Sequence, residues 1–298
     1  MIELRCVVVA TDLSAPARRA ADRAARIARS ASASLTLVHA VSGSALDELR
    51  RWLDIGGSTE QSLLDDVRGR LRVLASELSV QHQISVDDLV VIGHPVDEIA
   101  RIAAERHADL VVTGTLGSGF VRNRLVGSTA ERMVRKSSRP VLMVRQAPRE
   151  PYRRVLVPVD FSGWSGPSVE IAAAVAPDAH FVLLHAIEMP FEASLGLAGV
   201  DARVVDEYRA AARSDAMRSM RELAVRAGLK DDRWTALAPD GGDASVPIMR
   251  QEQEQDCDLI VLGKHGRNAM EEVLLGSTTN RVIGESASDV LVCARSDA

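Results

Sequence analysis

Aromatic side chains are scarce in this chain, which has three Trp, two Tyr and four Phe among 298 residues. A surface that binds single strands by stacking bases needs several such rings, so that class of function is disfavoured. A net positive charge is missing as well. The 36 Lys and Arg stand against 41 Asp and Glu, leaving −5 at pH 7 and a pI near 5.9. That balance removes the general basic field of a nucleic-acid binder. No apolar run approaches the ~20 residues that cross a bilayer, and Met1-Ile2-Glu3-Leu4-Arg5 leads straight into a strand-like segment without the apolar stretch of a secretion signal. A cytoplasmic protein with neither membrane nor nucleic acid as partner is expected. Cysteine is sparse too. Cys6, Cys257 and Cys293 lie in or beside strand-like runs without C-x-x-C spacing, which fits buried reduced thiols better than metal or redox roles. Finally, no nucleophile elbow, Walker lysine or paired catalytic carboxylates occur, so an efficient hydrolase is not supported.

What the chain does have is a repeated glycine pattern. Gly263-Lys264-His265-Gly266 is followed after nine residues by Gly276-Ser277, directly behind the apolar run Leu259-Ile260-Val261-Leu262. Gly114-Thr115-Leu116-Gly117, nine residues and Gly127-Ser128 repeat it behind Leu110-Val111-Val112-Thr113, 149 residues earlier. Glycines at the end of a strand allow positive φ and let a ligand approach bare amides. Ser277 with Thr278, and Ser128 with Thr129, are placed to cap the helix that follows. A helix start with free N–H groups and a positive dipole end suits phosphate.

Around these loops each half runs through the same cycle. Cys6–Ala10 reads as a buried parallel strand, closed by Thr11-Asp12-Leu13-Ser14, and Ala15–Arg29 reads as a helix capped by Ser14. Leu35–Ala40, Leu89–Ile92, Leu110–Thr113 and Val141–Val144 are further strands, with helical spacing between them. Arg145–Tyr152, with two prolines and mixed charge, is the linker. The cycle restarts with Val155–Val159 and Asp160-Phe161-Ser162, then Phe181–Ala186, Trp234–Leu237, Leu259–Leu262 and Val290–Cys293. Alternation of strands and helices predicts two tandem doubly wound α/β domains, each with a five-stranded parallel, Rossmann-like sheet, at 1–146 and 152–298. The short linker predicts that the halves pack as a pseudo-twofold pair; widely separated halves in small-angle scattering would exclude this. Whether whole chains also pair as homodimers is left open.

The two G-x2-G-x9-G-S loops, Asp12 and Asp160, and the strand endings Leu37-Val38-His39-Ala40 and Leu183-Leu184-His185-Ala186 resemble the universal stress protein family. The match is to its tandem type, with two such domains in one chain. Resemblance covers nearly all of both halves, least well at 41–80 and 188–200. It implies ATP, with Mg²⁺, as ligand. By position it implicates Asp12, Ala40, Gly114, Gly117, Gly127, Ser128 and Thr129 in the first half. In the second half it implicates Asp160, Ala186, Gly263, Gly266, Gly276, Ser277 and Thr278. The Asp helps hold the nucleoside, the residue ending the second strand meets adenine through its backbone, and the loop holds phosphate.

Plainer readings compete. Asp12 or Asp160 alone could simply tie a strand-to-helix turn, but its presence in both halves favours a ligand role. His39 and His185, inside apolar strands, read as hydrogen-bonded core histidines rather than ligands, and no metal site is assigned. Arg18, Arg19, Arg23 and Arg26 read as a solvated helix face. The expected function is a non-enzymatic, ATP-binding stress-response regulator. The alternatives are an interaction scaffold with relic loops, or a slow ATP hydrolase. His265, a polar donor where the first half has Leu116, predicts tighter binding in the second half.

Overall fold

The computed structural model describes residues 2–53, 57–115, 127–188, 201–266 and 275–294. Contacts divide the chain into two units, Glu3–Pro151 and Tyr152–Cys293.

In the first unit the elements are β1 (Cys6–Ala10), α1 (Ala15–Ala31), β2 (Ser34–Val41), α2 (Gly43–Leu53), α3 (Gly57–His82), β3 (Val86–Ile92), α4 (Pro95–Glu105), β4 (Leu110–Gly114), α5 (Ser128–Lys136) and β5 (Val141–Val144). The strands lie in the order β3-β2-β1-β4-β5, all parallel. Val8 pairs with Thr36 on one side and Val111 on the other. Because helices cover both faces of such a sheet, its central strands are apolar throughout. Val7, Val8, Val9, Val111 and Val112 are fully buried. Helix α1 meets the sheet through Ala17, Ala20, Ala21, Ala24 and Ala28, small residues that allow a close approach.

The second unit repeats this plan with β6 (Arg154–Pro158), α6 (Ser165–Val175), β7 (His180–Leu184), α7 (Ala202–Arg226), β8 (Trp234–Leu237), α8 (Ser245–Glu254), β9 (Leu259–Gly263), α9 (Ser277–Glu285) and β10 (Asp289–Cys293). Its strands lie in the order β8-β7-β6-β9-β10, again parallel. Each unit is thus a Rossmann-like, doubly wound sheet, as the alternation of elements predicts. In both, the chain leaves the first strand toward one side and later returns to its other side. The loops after β1 and β4, and after β6 and β9, therefore diverge at the switch point where such sheets bind ligands.

Local differences from the sequence expectation have physical causes. Strand β3 starts at Val86 rather than Leu89, because Asp87 and Asp88 are tolerated on an edge strand with a solvated side. The arginines of α1 are not all solvated. Arg23 is only 4% exposed, and its Nη1 donates to Glu150 O at 2.8 Å. Cys257 and Cys293 are buried and Cys6 is half-buried. Burial pushes the two buried thiols up to about 12 and about 11.

Candidate functional site

In the second unit the segment after β6 turns sharply. Phe161 takes a left-handed conformation, φ 60°, which folds the Asp160 side chain back over its own turn. Asp160 Oδ1 accepts from Ser162 N and from Ser165 Oγ, each at 3.0 Å. Asp160 Oδ2 faces the glycine loop, 3.4 Å from where a Cβ on Gly266 would stand. The first unit has the same turn, with Leu13 at φ 62° and Ser14 N donating to Asp12 Oδ1 at 3.0 Å. Ser14 also caps α1, its Oγ accepting from Ala17 N.

The glycine loop then crosses this turn. Gly263, the last residue of β9, packs against Trp164, where a Cβ would be 2.7 Å from Trp164 Cβ. Gly276 precedes α9 and its N–H donates to Lys264 O at 3.2 Å; a Cβ there would lie 3.7 Å from the Gly266 amide nitrogen. Asp160, Gly263, Gly266 and the start of α9 are therefore gathered at one place. The corresponding Gly114 ends β4 against α1, where a Cβ would be 3.1 Å from Pro16 C and O. Gly127 precedes α5, and Ser128 and Thr129 form its exposed first turn. Gly117 lies outside the described residues. Ala40 is on β2, paired with Val91, and Ala186 is buried just beyond β7.

Two expectations about this region change. Among the described residues, positive-φ glycines are Gly93 and Gly228, so the described loop glycines do not supply unusual φ, and Gly114 and Gly263 serve close approach instead. Helix α9 begins after Gly276 with no side-chain cap, and α5 does likewise after Gly127. Ser277 and Ser128 sit inside the first turn instead. The anchoring hydroxyl in α9 is Thr279, whose Oγ1 donates to Gly263 O at 2.9 Å. Thr279, Trp164 and Ser165 escape the sequence reading, although Ser165 stands at a fixed five-residue distance from Asp160.

The surroundings are partly dehydrated. Lys264 is buried, which lowers its amine pKa. His265 is buried as well, its ring 5.4 Å from that of Trp164, with Nδ1 lacking a hydrogen-bond partner. It is thus an enclosed imidazole rather than the open donor expected. His185 Nδ1 donates to Val159 O at 2.7 Å and its ring stacks on Phe161 at 4.5 Å, as a wall histidine should. In the first unit burial lowers the His39 pKa, opposed by the Thr11 backbone and the Asp12 carboxylate. Among the described residues, no group of three or more His, Cys, Asp or Glu could hold a metal ion. No helix there is long and apolar enough to cross a membrane.

Comparison with known proteins agrees with this architecture. The model of the universal stress protein family matches residues 3–145 and again 151–294. Universal stress protein Rv2005c of Mycobacterium tuberculosis is 27% identical over 318 aligned positions, covering 97% of each chain. Universal stress protein Rv1636 of the same organism is 31% identical over 151 positions, covering 48% of this chain and 98% of its own. The crystal structure of a universal stress protein from Archaeoglobus fulgidus is similar in fold, with a TM-score of 0.68 at 19% identity, covering 99% of this chain and 100% of that one. The chain belongs to the universal stress protein family, as a tandem of two family domains.

Proposed function

We propose that this protein binds ATP at the glycine loop of each half, and acts in the cytoplasm as a nucleotide-dependent stress-response regulator. The observation that carries this reading is the convergence of Asp160, the Gly266 amide and the start of α9 on one spot. Backbone amides and a helix N-terminus suit phosphate. A bare carboxylate beside phosphate would repel it, so Asp160 Oδ2 suits a sugar hydroxyl or a divalent cation carried by the phosphates. ATP with Mg²⁺ offers both. The position of Ala186 just beyond β7 supports a backbone contact with the base. We infer binding rather than turnover, because the sequence has no Walker lysine or nucleophile elbow beside the loops.

Two measurements test this. Denaturing freshly purified protein and separating the supernatant by anion exchange should release adenine nucleotide. In calorimetry, a chain carrying Gly117→Val and Gly266→Val should keep its fold and lose most Mg·ATP binding. Unchanged affinity in that folded variant would reject the site and favour a scaffold with relic loops. Rapid ATP hydrolysis by the purified protein would instead require an enzyme.

A further inference from the structure

The two halves differ in how the aspartate after the first strand is held. In the second, Ser165 opens α6 and is only 3% exposed. Its hydroxyl donates to Asp160 Oδ1 at 3.0 Å and accepts from Asp160 N at 3.2 Å. A serine hydroxyl has one proton to give. Here that proton goes to the carboxylate while the oxygen is engaged by the backbone N–H of the same aspartate. The pair of bonds closes around Asp160 and opposes rotation of its carboxylate. Together with the bond from Ser162 N at 3.0 Å, it places Oδ1 in the turn and leaves Oδ2 toward Gly266. In the first half Ala17 stands five residues after Asp12 and supplies no hydroxyl.

We propose that Ser165 is a positioning residue for ligand binding in the second half, acting through Asp160 by fixing the orientation of its carboxylate, with one oxygen held in the turn and the other facing the glycine loop. The assignment rests on the nucleotide reading of that loop. Its consequence is pre-organisation. A carboxylate already held in place loses less freedom when the ligand arrives, and affinity rises accordingly. Ser165 touches no ligand in this scheme; it determines where Asp160 meets it.

The test is a double-mutant cycle in the full chain. Replacing Trp52 and Trp234 by Phe leaves Trp164, which packs on Gly263, as the single indole reporting on the second half. Mg·ATP is titrated into four such chains, the parent, Ser165→Ala, Asp160→Ala and the double variant. Fluorescence and calorimetry are both read, at a temperature where circular dichroism shows all four folded. Losing the charge-assisted bond to Asp160, while Ser162 N still holds Oδ1, predicts a second-half affinity about five- to tenfold weaker in Ser165→Ala. Asp160→Ala should weaken binding at least as much, and adding Ser165→Ala to it should change nothing further, because no carboxylate is left to position. Ser165→Cys, with a weaker donor of similar size, should fall between parent and alanine variant.

Fully additive losses would show that Ser165 does not act through Asp160, and would overturn the proposal. So would parent-like affinity in Ser165→Ala, a result that leaves the nucleotide site itself intact. A parent chain that binds no Mg·ATP by either readout would instead overturn the nucleotide reading, and the positioning role with it.

Discussion

At the scale of single residues, two glycines of one loop do different work. Gly263 is required by the body of the protein, because a Cβ there would come within 2.7 Å of Trp164 Cβ and 3.2 Å of His265 O. Gly266 has room by comparison, Asp160 Oδ2 at 3.4 Å being the nearest atom to a Cβ among the described residues. Gly263→Ala should therefore lower the unfolding free energy by about 1–3 kcal/mol, as overpacking does. Gly266→Ala should cost well under 1 kcal/mol and reveal itself in ligand binding. Urea denaturation of the two variants checks this, and equal losses would contradict the contact geometry. The same scale shows why Leu13 and Phe161 tolerate a conformation rare outside glycine. Each follows an aspartate whose side chain closes the turn by accepting the amide two residues on.

At the scale of elements, the units share their strand order but not their fastenings. In the second, Glu252 of α8 is 4% exposed and its Oε1 accepts from Ser286 Oγ at 2.7 Å, Ala287 N at 3.0 Å and Ser288 N at 2.8 Å. One carboxylate thus ties α8 to the turn between α9 and β10. At the corresponding place of α4 the first unit has the buried Ala103. There Ser137 serves its own turn, its Oγ accepting from Arg139 N. Glu252→Ala removes the acceptor that three donors share in a buried turn, while Ser288 N keeps Ser286 Oγ at 3.1 Å and Ser286 Oγ keeps Ser288 O at 3.3 Å, which predicts a loss of about 2 kcal/mol in unfolding free energy. Chemical denaturation measures it, and a loss below about 1 kcal/mol would mean that water replaces the carboxylate.

At the scale of the whole chain, duplication supplies two copies of one site, yet the copies are unequal. Ser165, Trp164 and Thr279 in the second half stand where the first has Ala17, Pro16 and Ala130. The bonds from Ser165 to Asp160 and from Thr279 to Gly263 fasten the second loop and its aspartate to the starts of α6 and α9. Mg·ATP should therefore bind the second half more tightly, by about fivefold or more for one such bond. Titrating a chain with Asp12→Asn against one with Asp160→Asn separates the sites. The Asp12 variant should retain the stronger site; equal residual affinities, or the reverse order, would reject the ranking.

Much of this was legible from sequence because it is local. Strands buried on both faces read as apolar runs, such as Cys6–Ala10 and Leu110–Gly114, and helices read by their spacing. A glycine pattern repeated after 149 residues exposes a duplication without any coordinates. These signals depend on neighbours a few positions apart, which is the range over which backbone period and turn chemistry act. The tertiary structure decided everything that depends on chain segments far apart in sequence. It buried Arg23 against Glu150, although its helix face had read as solvated, and it enclosed His265 beside Trp164. It gave Gly114 and Gly263 the task of close approach rather than positive φ, because only the assembled sheet brings Pro16 to Gly114 and Trp164 to Gly263. Burial and contact are sums over elements that meet only on folding, and no local pattern contains those sums.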